Sequence, residues 1–322
     1  MKLRTEIPLP PSDGPIDYRS RLLLLGSCFS EHIGSKLNYY QFQVVRNPFG
    51  ILFHPKAIEN LIDRAVNDKK YIEEDLFSLN GQWHSFDAHS DRRASSDKKL
   101  MDQLNHGLKT TFDQLRQSTH VVLTLGTAWV YRHLESDRIV ANCHKVPQRE
   151  FAKELLSVGE IVESLKHILK LVQSKNVNSQ VVLTISPVRH LKDGFIENQR
   201  SKAHLITAVH ELLSVGTESI NTHYFPSYEI MMDELRDYRF YEPDMVHPNQ
   251  VGIQYIWEKF RQTFISSEVF GIMDKVEEIQ KGLAHRPFNP LSEQHQEFLR
   301  SLERKITYLE KQYPHMRLGF PN

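Results

Sequence analysis

The sequence predicts an α/β protein: a three-layer α/β/α sandwich around a mostly parallel sheet, with a helical C-terminal extension. Short apolar, β-branched runs alternate with longer helical patterns, and HVVLTLG (120–126) and QVVLTISPV (180–188) are the clearest runs. Strand–helix–strand order favours parallel strands with helices on both faces of the sheet. The alternation stops near residue 268, so we divide the chain into a domain at 1–267 and an extension at 268–322.

The same patterns assign the elements in chain order. Strands are predicted at 21–26, 43–46, 120–126, 180–188 and 224–232, the last one weak because Pro226 favours an edge or a bulge. Helices are predicted at 29–39, 55–66, 96–117, 150–174 (as one or two helices), 201–213 and 251–264. Residues 70–95 are polar and mixed, which indicates an irregular insertion.

The extension contains one clear amphipathic helix. Ser292 is a suitable N-cap, and the helix after it has an apolar face of Phe298, Leu302, Ile306, Leu309 and Tyr313. This face either packs on the domain or joins copies of the chain into a homo-oligomer.

Composition excludes several classes of protein. The chain has 322 residues with 40 basic and 40 acidic side chains, a balance that argues against nucleic-acid binding. Its two cysteines cannot build a disulfide framework. The N-terminal residues contain no apolar export signal, and no apolar run is long enough to span a membrane. We therefore expect a soluble, cytoplasmic protein without a membrane partner.

The first candidate for chemistry is LLLLGSCFSEHIG (22–34), where a strand pattern gives way to a helical one. Gly26 allows a sharp turn, which places Ser27 or Cys28 at a helix N-terminus. A thiol at that position has a lowered pKa and is a better nucleophile. The alternative is that Ser27 is only an N-cap and Cys28 only a small buried residue.

The second candidate is Asp-x-x-His in FYEPDMVHPNQVG (240–252). Asp244 can accept the Nδ1–H of His247, which leaves Nε2 free to take a proton from a nucleophile. The motif alone also fits a helix-capping loop or part of a metal site. Its position after the last strand, with a nucleophile after the first, favours the catalytic interpretation, because ligands bind beyond the carboxyl ends of parallel strands.

Together, GSCFSEHIG, NPFGILFHP, LTLGTAWVY, ANCHKVP, SPVRHLKDGFIENQRSK and FPSYEIMMDELRDYRFYEPDMVHPN resemble the GSCFA domain family over about residues 20–265. That family is similar to the SGNH (GDSL-like) hydrolases, which place a nucleophilic serine after the first strand and Asp-x-x-His before the last helix. The resemblance implies an SGNH-like fold and a reaction at an acyl ester.

The chain departs from the SGNH pattern in two places. In Gly-Asp-Ser the nucleophile stands two residues after the glycine, and here that position holds Cys28 while Ser27 replaces the aspartate. The spacing from the glycine therefore favours Cys28 as the nucleophile, whereas the similarity to the SGNH hydrolases favours a serine. The Gly-x-Asn that supplies an oxyanion-binding amide is also missing, because the chain reads Gly126-Thr127-Ala128 at this place. Residues 129–142 read as a hairpin turning near 134–136, which brings Asn142 opposite Ala128 to within one position.

Asn142 is thus a candidate for the missing amide donor, or an ordinary turn residue at a strand end. The other predicted oxyanion and substrate-binding residues follow strands: Asn47, Gly50, Thr127 and Arg189, with the backbone N–H after Gly26 as a further donor. Arg189 fits either a substrate carboxylate or phosphate or a structural ion pair. Asn198, Ser201 and Lys202 are interpreted as a helix cap and a solvated lysine, and His54, His84, His89 and His204 as surface or packing residues.

These residues predict an acyl-ester hydrolase or an acyltransferase. Cys28 or Ser27 attacks the carbonyl of a small-molecule or carbohydrate ester, His247 acts as base and then acid, and Asp244 orients it. No cofactor and no metal are expected, because Asn142-Cys143-His144 with His247 matches no familiar zinc spacing. The alternative is a non-catalytic binding protein on an SGNH-like scaffold.

Overall fold

A computed structural model describes residues 5–214 and 221–319. The strands are β1 (Arg21–Gly26), β2 (Gln43–Arg46), β3 (Phe77–Leu79), β4 (Gln82–His84), β5 (His120–Leu125), β6 (Trp129–His133), β7 (Arg138–Val140), β8 (Phe151–Leu155), β9 (Gln180–Ile185) and β10 (Thr222–Phe225). The helices are α1 (Cys28–Tyr39), α2 (Pro55–Val66), α3 (Asp97–Gln117), α4 (Val158–Lys175), α5 (Phe195–Ser214), α6 (Ser227–Glu229), α7 (Gln250–Phe264), α8 (Phe270–Ala284) and α9 (Glu293–Gln312). Residues 1–4 of the predicted domain and residues 320–322 of the predicted extension lie outside the described residues.

The central sheet has five parallel strands in the order β10-β9-β5-β1-β2. Successive side chains of β1 point to opposite faces of this sheet. Leu22 and Leu24 pack in a core with residues of α1, α7, α8 and α9, whereas Leu23 and Leu25 pack in a core with α2, α3, α4 and α5. The fold is therefore the predicted three-layer α/β/α sandwich with C-terminal helices.

Most predicted elements begin and end within a residue or two of the observed ones. The assignment of 150–174 to helices is wrong in its first part, because β8 forms there and pairs with β6 in the antiparallel sheet β7-β6-β8. Ser157 and Glu160 form a capping box that starts α4. The strand predicted at 224–232 ends at Phe225, and α6 and a π-helical turn follow it. The insertion at 70–95 contains the short hairpin β3-β4.

The hairpin predicted at 129–142 is confirmed. Residues 134–137 form its turn, and Tyr131 pairs with Val140. The same register continued outward sets Asn142 opposite Trp129, one position from Ala128 as expected.

The C-terminal helices pack on the domain. The Ser292 side chain accepts a hydrogen bond from the N–H of His295, which confirms this N-cap. Leu302, Ile306 and Leu309 are buried in the core that contains α1, so the middle of the predicted apolar face packs on the domain, whereas Phe298 at its start stays exposed. The end of α1 meets later segments as well: the Tyr40 hydroxyl donates to Glu277 at 3.2 Å, and Gln41 accepts from the N–H of Arg317 at 2.8 Å.

No helix in the described part of the chain is both long enough and apolar enough to cross a membrane.

Candidate active site

Asp244 and His247 form a short hydrogen-bonded pair in the loop before α7. Oδ2 of Asp244 lies 2.6 Å from Nδ1 of His247, and Oδ1 accepts from the backbone N–H groups of Val246 at 2.8 Å and His247 at 3.0 Å. These bonds, led by the one from the His247 backbone, lower the pKa of Asp244 to about 2. Because an ionised carboxylate only accepts, Nδ1 carries the proton and Nε2 of a neutral imidazole is the free acceptor.

Arg189 supports this loop through a hydrogen bond to its main chain. Its guanidinium donates to the carbonyl oxygen of Met245 and lies 5.0 Å from the ring of Tyr241. Met245 has φ +57°, a left-handed conformation that a non-glycine residue adopts only when its surroundings hold it there. Arg189 therefore has a structural role, but its partner is a main-chain carbonyl and not the predicted ion pair.

Ser27 is the N-cap of α1. Its oxygen accepts from the N–H of Phe29 at 3.4 Å, its own N–H donates to the Thr124 carbonyl at 3.0 Å, and the residue is fully buried. Cys28 is the first residue of the helix and is only partly buried. Of the two predicted nucleophiles, Cys28 is the one that retains surface. The N–H after Gly26, predicted as an oxyanion donor, is bonded within the sheet and is not available.

The expected depression of the Cys28 thiol pKa is wrong in direction. Burial raises this pKa above its ordinary value and outweighs the groups that lower it, which are the charge of Lys202 and the N–H groups of Cys28 and Phe29. The helix N-terminus therefore does not by itself produce a reactive thiolate at neutral pH.

Lys202 is the residue that the sequence analysis missed. It is 1% exposed and not solvated, and its Nζ donates to the carbonyl oxygens of Gly126 and Ser186, each at 2.8 Å. Those carbonyls follow β5 and β9, so the ammonium lies at the carboxyl edge of the sheet. Burial lowers the pKa of Lys202 to about 7, and the charge of Cys28 opposes that shift.

A signal for this lysine was present in the sequence. Asn198, Ser201 and Lys202 are spaced in phase with Leu205 on the buried face of α5. Ser201 Oγ accepts from the Ala128 N–H at 2.7 Å and lies 3.0 Å from the Thr127 hydroxyl. These polar groups continue the buried stripe of the helix and fix the turn after β5.

The loop after β2 uses its predicted oxyanion donors internally. The Gly50 N–H donates to the Asn47 carbonyl at 2.8 Å, which closes a tight turn with Gly50 at φ +74°. The Asn47 amide accepts from Gly26 N–H at 2.9 Å and donates to Glu31 at 2.7 Å. The Thr127 N–H donates to the Phe53 carbonyl at 3.0 Å. Asn47 and Gly50 thus shape the loop and are not free donors in this structure, and Thr127 offers no backbone donor.

Two further histidines lie around His247. Burial lowers the pKa of His32, one turn after Cys28 in α1, and lowers that of His190 to about 3. The charge of His247 adds to both shifts, and at His190 the charge of Lys202 adds more. Nε2 of His190 is buried without a hydrogen-bond partner in the described structure, beside Gly126. His32 lies one turn after Cys28 and feels the charge of His247, so the Asp244–His247 loop lies near α1, but no hydrogen bond joins Cys28 and His247 in the part of the chain described.

His190 also lines an open groove of about 900 Å³. Thr127, Asn142 and His190 line it, whereas Cys28 and His247 do not. The side-chain oxygen Oδ1 of Asn142 accepts from the backbone N–H of His144 at 2.8 Å, and Nε2 of His144 lies 2.7 Å from the Ser85 carbonyl oxygen. Asn142 and Thr127 therefore line one space.

Comparison with known proteins agrees with the resemblance found in the sequence. The model of the GSCFA family matches residues 21–260, and the model described as "GSCFA domain protein, C-terminal domain" matches residues 276–319. No curated protein matches the chain. One solved structure, a carbohydrate esterase family 3 from Talaromyces cellulolyticus, is 11% identical, and the match covers 79% of this chain and 98% of that one with a TM-score of 0.36. A likeness this weak carries no argument about activity.

Proposed function

We propose that this chain, which belongs to the GSCFA family, transfers acyl groups from esters, either to water as an esterase or to a hydroxyl acceptor as an acyltransferase. The observation that carries the proposal is the Asp244–His247 pair at 2.6 Å, oriented so that Nε2 is free. The proposal pairs this base with Cys28, a partly exposed thiol at the N-terminus of α1.

In the proposed reaction, Nε2 of His247 takes the proton of the Cys28 thiol as sulfur attacks the ester carbonyl. His247 then returns that proton to the leaving alcohol, and a thioester to Cys28 remains. Water or an acceptor hydroxyl attacks this thioester while His247 takes its proton, and the proton goes back to the sulfur as the thioester breaks.

The raised pKa of Cys28 makes the base necessary, because little thiolate exists at neutral pH without it. The charge of Lys202 and the N–H groups of Cys28 and Phe29 lower the pKa of the thiol, so they stabilise negative charge where the sulfur develops it. We propose small-molecule or carbohydrate acyl esters as substrates.

The test measures hydrolysis of 4-nitrophenyl acetate together with mass spectrometry of the intact protein. We expect an acetyl adduct on Cys28 in the wild type and none in Cys28→Ala. Asp244→Asn should lower kcat by about 10²-fold or more, because the wrong imidazole tautomer is favoured. Cys143→Ala is the matched control, since it removes the other cysteine, which is also half-buried.

Full activity of Cys28→Ala would refute the assignment of the nucleophile. A second candidate function, a binding protein on this scaffold, is favoured by two observations: Cys28 and His247 share no hydrogen bond, and the Gly50 N–H is satisfied internally. Absence of both turnover and adduct in the wild type would decide for the binding protein.

A further inference from the structure

We propose that the groove next to Thr127 binds an anionic group of the substrate, a phosphate or a carboxylate, through Arg93, Lys145 and Lys192. This inference deepens the proposed function, because it names the class of ester that the site would receive. It rests on the charge, the position and the backbone conformation of the residues that line the groove.

The charge of the groove differs from that of the whole chain. The chain has as many acidic as basic side chains, whereas the charged residues lining the groove, within the described residues, are Arg93, Lys145, Lys153, Lys192 and Asp193. Asp193 is already paired with Lys153 at 2.6 Å. The other three cations are exposed and have no ion pair within the described residues. Such an excess of positive charge in a concave site attracts anions.

The three cations line the same groove, and each lies close to other residues that line it. Burial raises the pKa of Cys143, two residues from Lys145, to about 11, and the charge of Lys192 opposes this rise. Burial lowers the pKa of His84, and the charge of Arg93 lowers it further. The ring of His84 lies 4.9 Å from that of His144, the neighbour of Lys145.

The backbone at Lys145 is held in a conformation that costs free energy. His144 and Lys145 are consecutive non-glycine residues with φ +50° and +65°, and the left-handed conformation is unfavourable for both. His144 is fixed by its 2.7 Å contact with the Ser85 carbonyl oxygen. Strain of this kind persists where the surroundings impose it, and here it sets the position of a lysine that lines the groove.

The groove also has aromatic side chains in its lining. Trp129 and Tyr131 project from β6 into the groove, and Nζ of Lys153 lies 4.6 Å from the Trp129 ring centre. A ring or chain attached to the anionic group can pack on these aromatic side chains. The expected ligand therefore has an anionic end and a ring or aliphatic part.

The test is isothermal titration calorimetry of the full chain with inorganic pyrophosphate and, separately, glutarate. We expect saturable binding of at least one of them, weakened by added NaCl, and the better ligand identifies the phosphate or the carboxylate as the group recognised. Lys145→Asn/Lys192→Gln should weaken binding about tenfold or more. Asparagine is chosen because it tolerates the left-handed backbone of residue 145.

The matched control is Lys98→Asn/Lys99→Gln, which removes the same charge from exposed positions on α3. Equal weakening in this control, or no saturable binding of either anion at about 10 mM, would overturn the proposal. Binding is measured without turnover, so the two proposals fail separately. Loss of hydrolysis with binding intact refutes only the acyl transfer, and hydrolysis of 4-nitrophenyl acetate without anion binding refutes only the groove assignment.

Discussion

Replacing Lys202 by methionine tests whether a charged lysine is buried at the carboxyl edge of the sheet. Burial lowers the pKa of this group from 10.5 to about 7, and each pH unit of such a difference corresponds to about 1.4 kcal/mol. At pH values below 7 the buried ammonium therefore costs the folded state about 5 kcal/mol. Methionine removes that cost but leaves the carbonyls of Gly126 and Ser186 without a donor, at about 1–3 kcal/mol each.

The pH dependence separates these opposing effects. Between pH 7 and 10.5 the unfolded chain holds the Lys202 proton and the folded chain has released it, so the free energy of unfolding rises with pH. From pH 6 to pH 9 the rise due to this one group is roughly 3 kcal/mol. The loss of two hydrogen bonds in Lys202→Met is independent of pH.

The assay is urea unfolding followed by circular dichroism at pH 6, 7, 8 and 9. We expect the free energy of unfolding of the wild type, relative to Lys202→Met, to increase by roughly 3 kcal/mol over this range. Lys98→Met, which removes an exposed lysine of α3, should follow the wild type at every pH. A constant difference between wild type and Lys202→Met would refute the buried charge.

Three further results are expected. Iodoacetamide should label Cys28 at a rate that still rises above pH 9, because burial raises its pKa, and Lys202→Met should slow labelling at pH 6, where Lys202 is still charged and lowers the thiol pKa; labelling that levels off below pH 8 would contradict this. Ser27→Ala should lower the free energy of unfolding by about 1 kcal/mol, the usual loss for an N-cap, and a variant as stable as the wild type would show that the cap contributes little. Leu302→Ala should lower the free energy of unfolding by about 2–5 kcal/mol, because the side chain is 3% exposed. A decrease under about 0.5 kcal/mol, typical of surface positions, would show that α9 is not part of the core.

The fold was predictable because its signals are local and mutually consistent. β1 reads as RLLLLG, a run too apolar for a strand with a solvated face, and the structure buries both faces. β8 was not predictable from its own residues: FAKEL carries two charged side chains, and its strand conformation comes from pairing with β6. The strand at 224–232 was predicted too long, because Tyr224–Met232 remains apolar where the chain turns into α6.

The site was predictable in part. Asp244 and His247 are three residues apart, so local geometry fixes their bond at 2.6 Å. The sign of the Cys28 pKa shift was not predictable, because it depends on how many atoms from distant segments bury the thiol. Lys202 was misjudged for the same reason: its two acceptors follow strands 76 and 16 residues away along the chain.

The position of the C-terminal helices has a consequence for the order in which a newly made chain becomes competent. α1, which carries Cys28, is completed by contacts between Tyr40 and Glu277 and between Gln41 and Arg317, pairs separated by 237 and 276 residues. While the ribosome is still adding the later residue of each pair, one side of α1 lacks its neighbours. Contacts this distant in sequence form slowly, because a long loop must close first. The nucleophile helix is thus made among the first elements and gains its full packing among the last, so a chain interrupted before α9 would hold Cys28 on an incompletely supported helix.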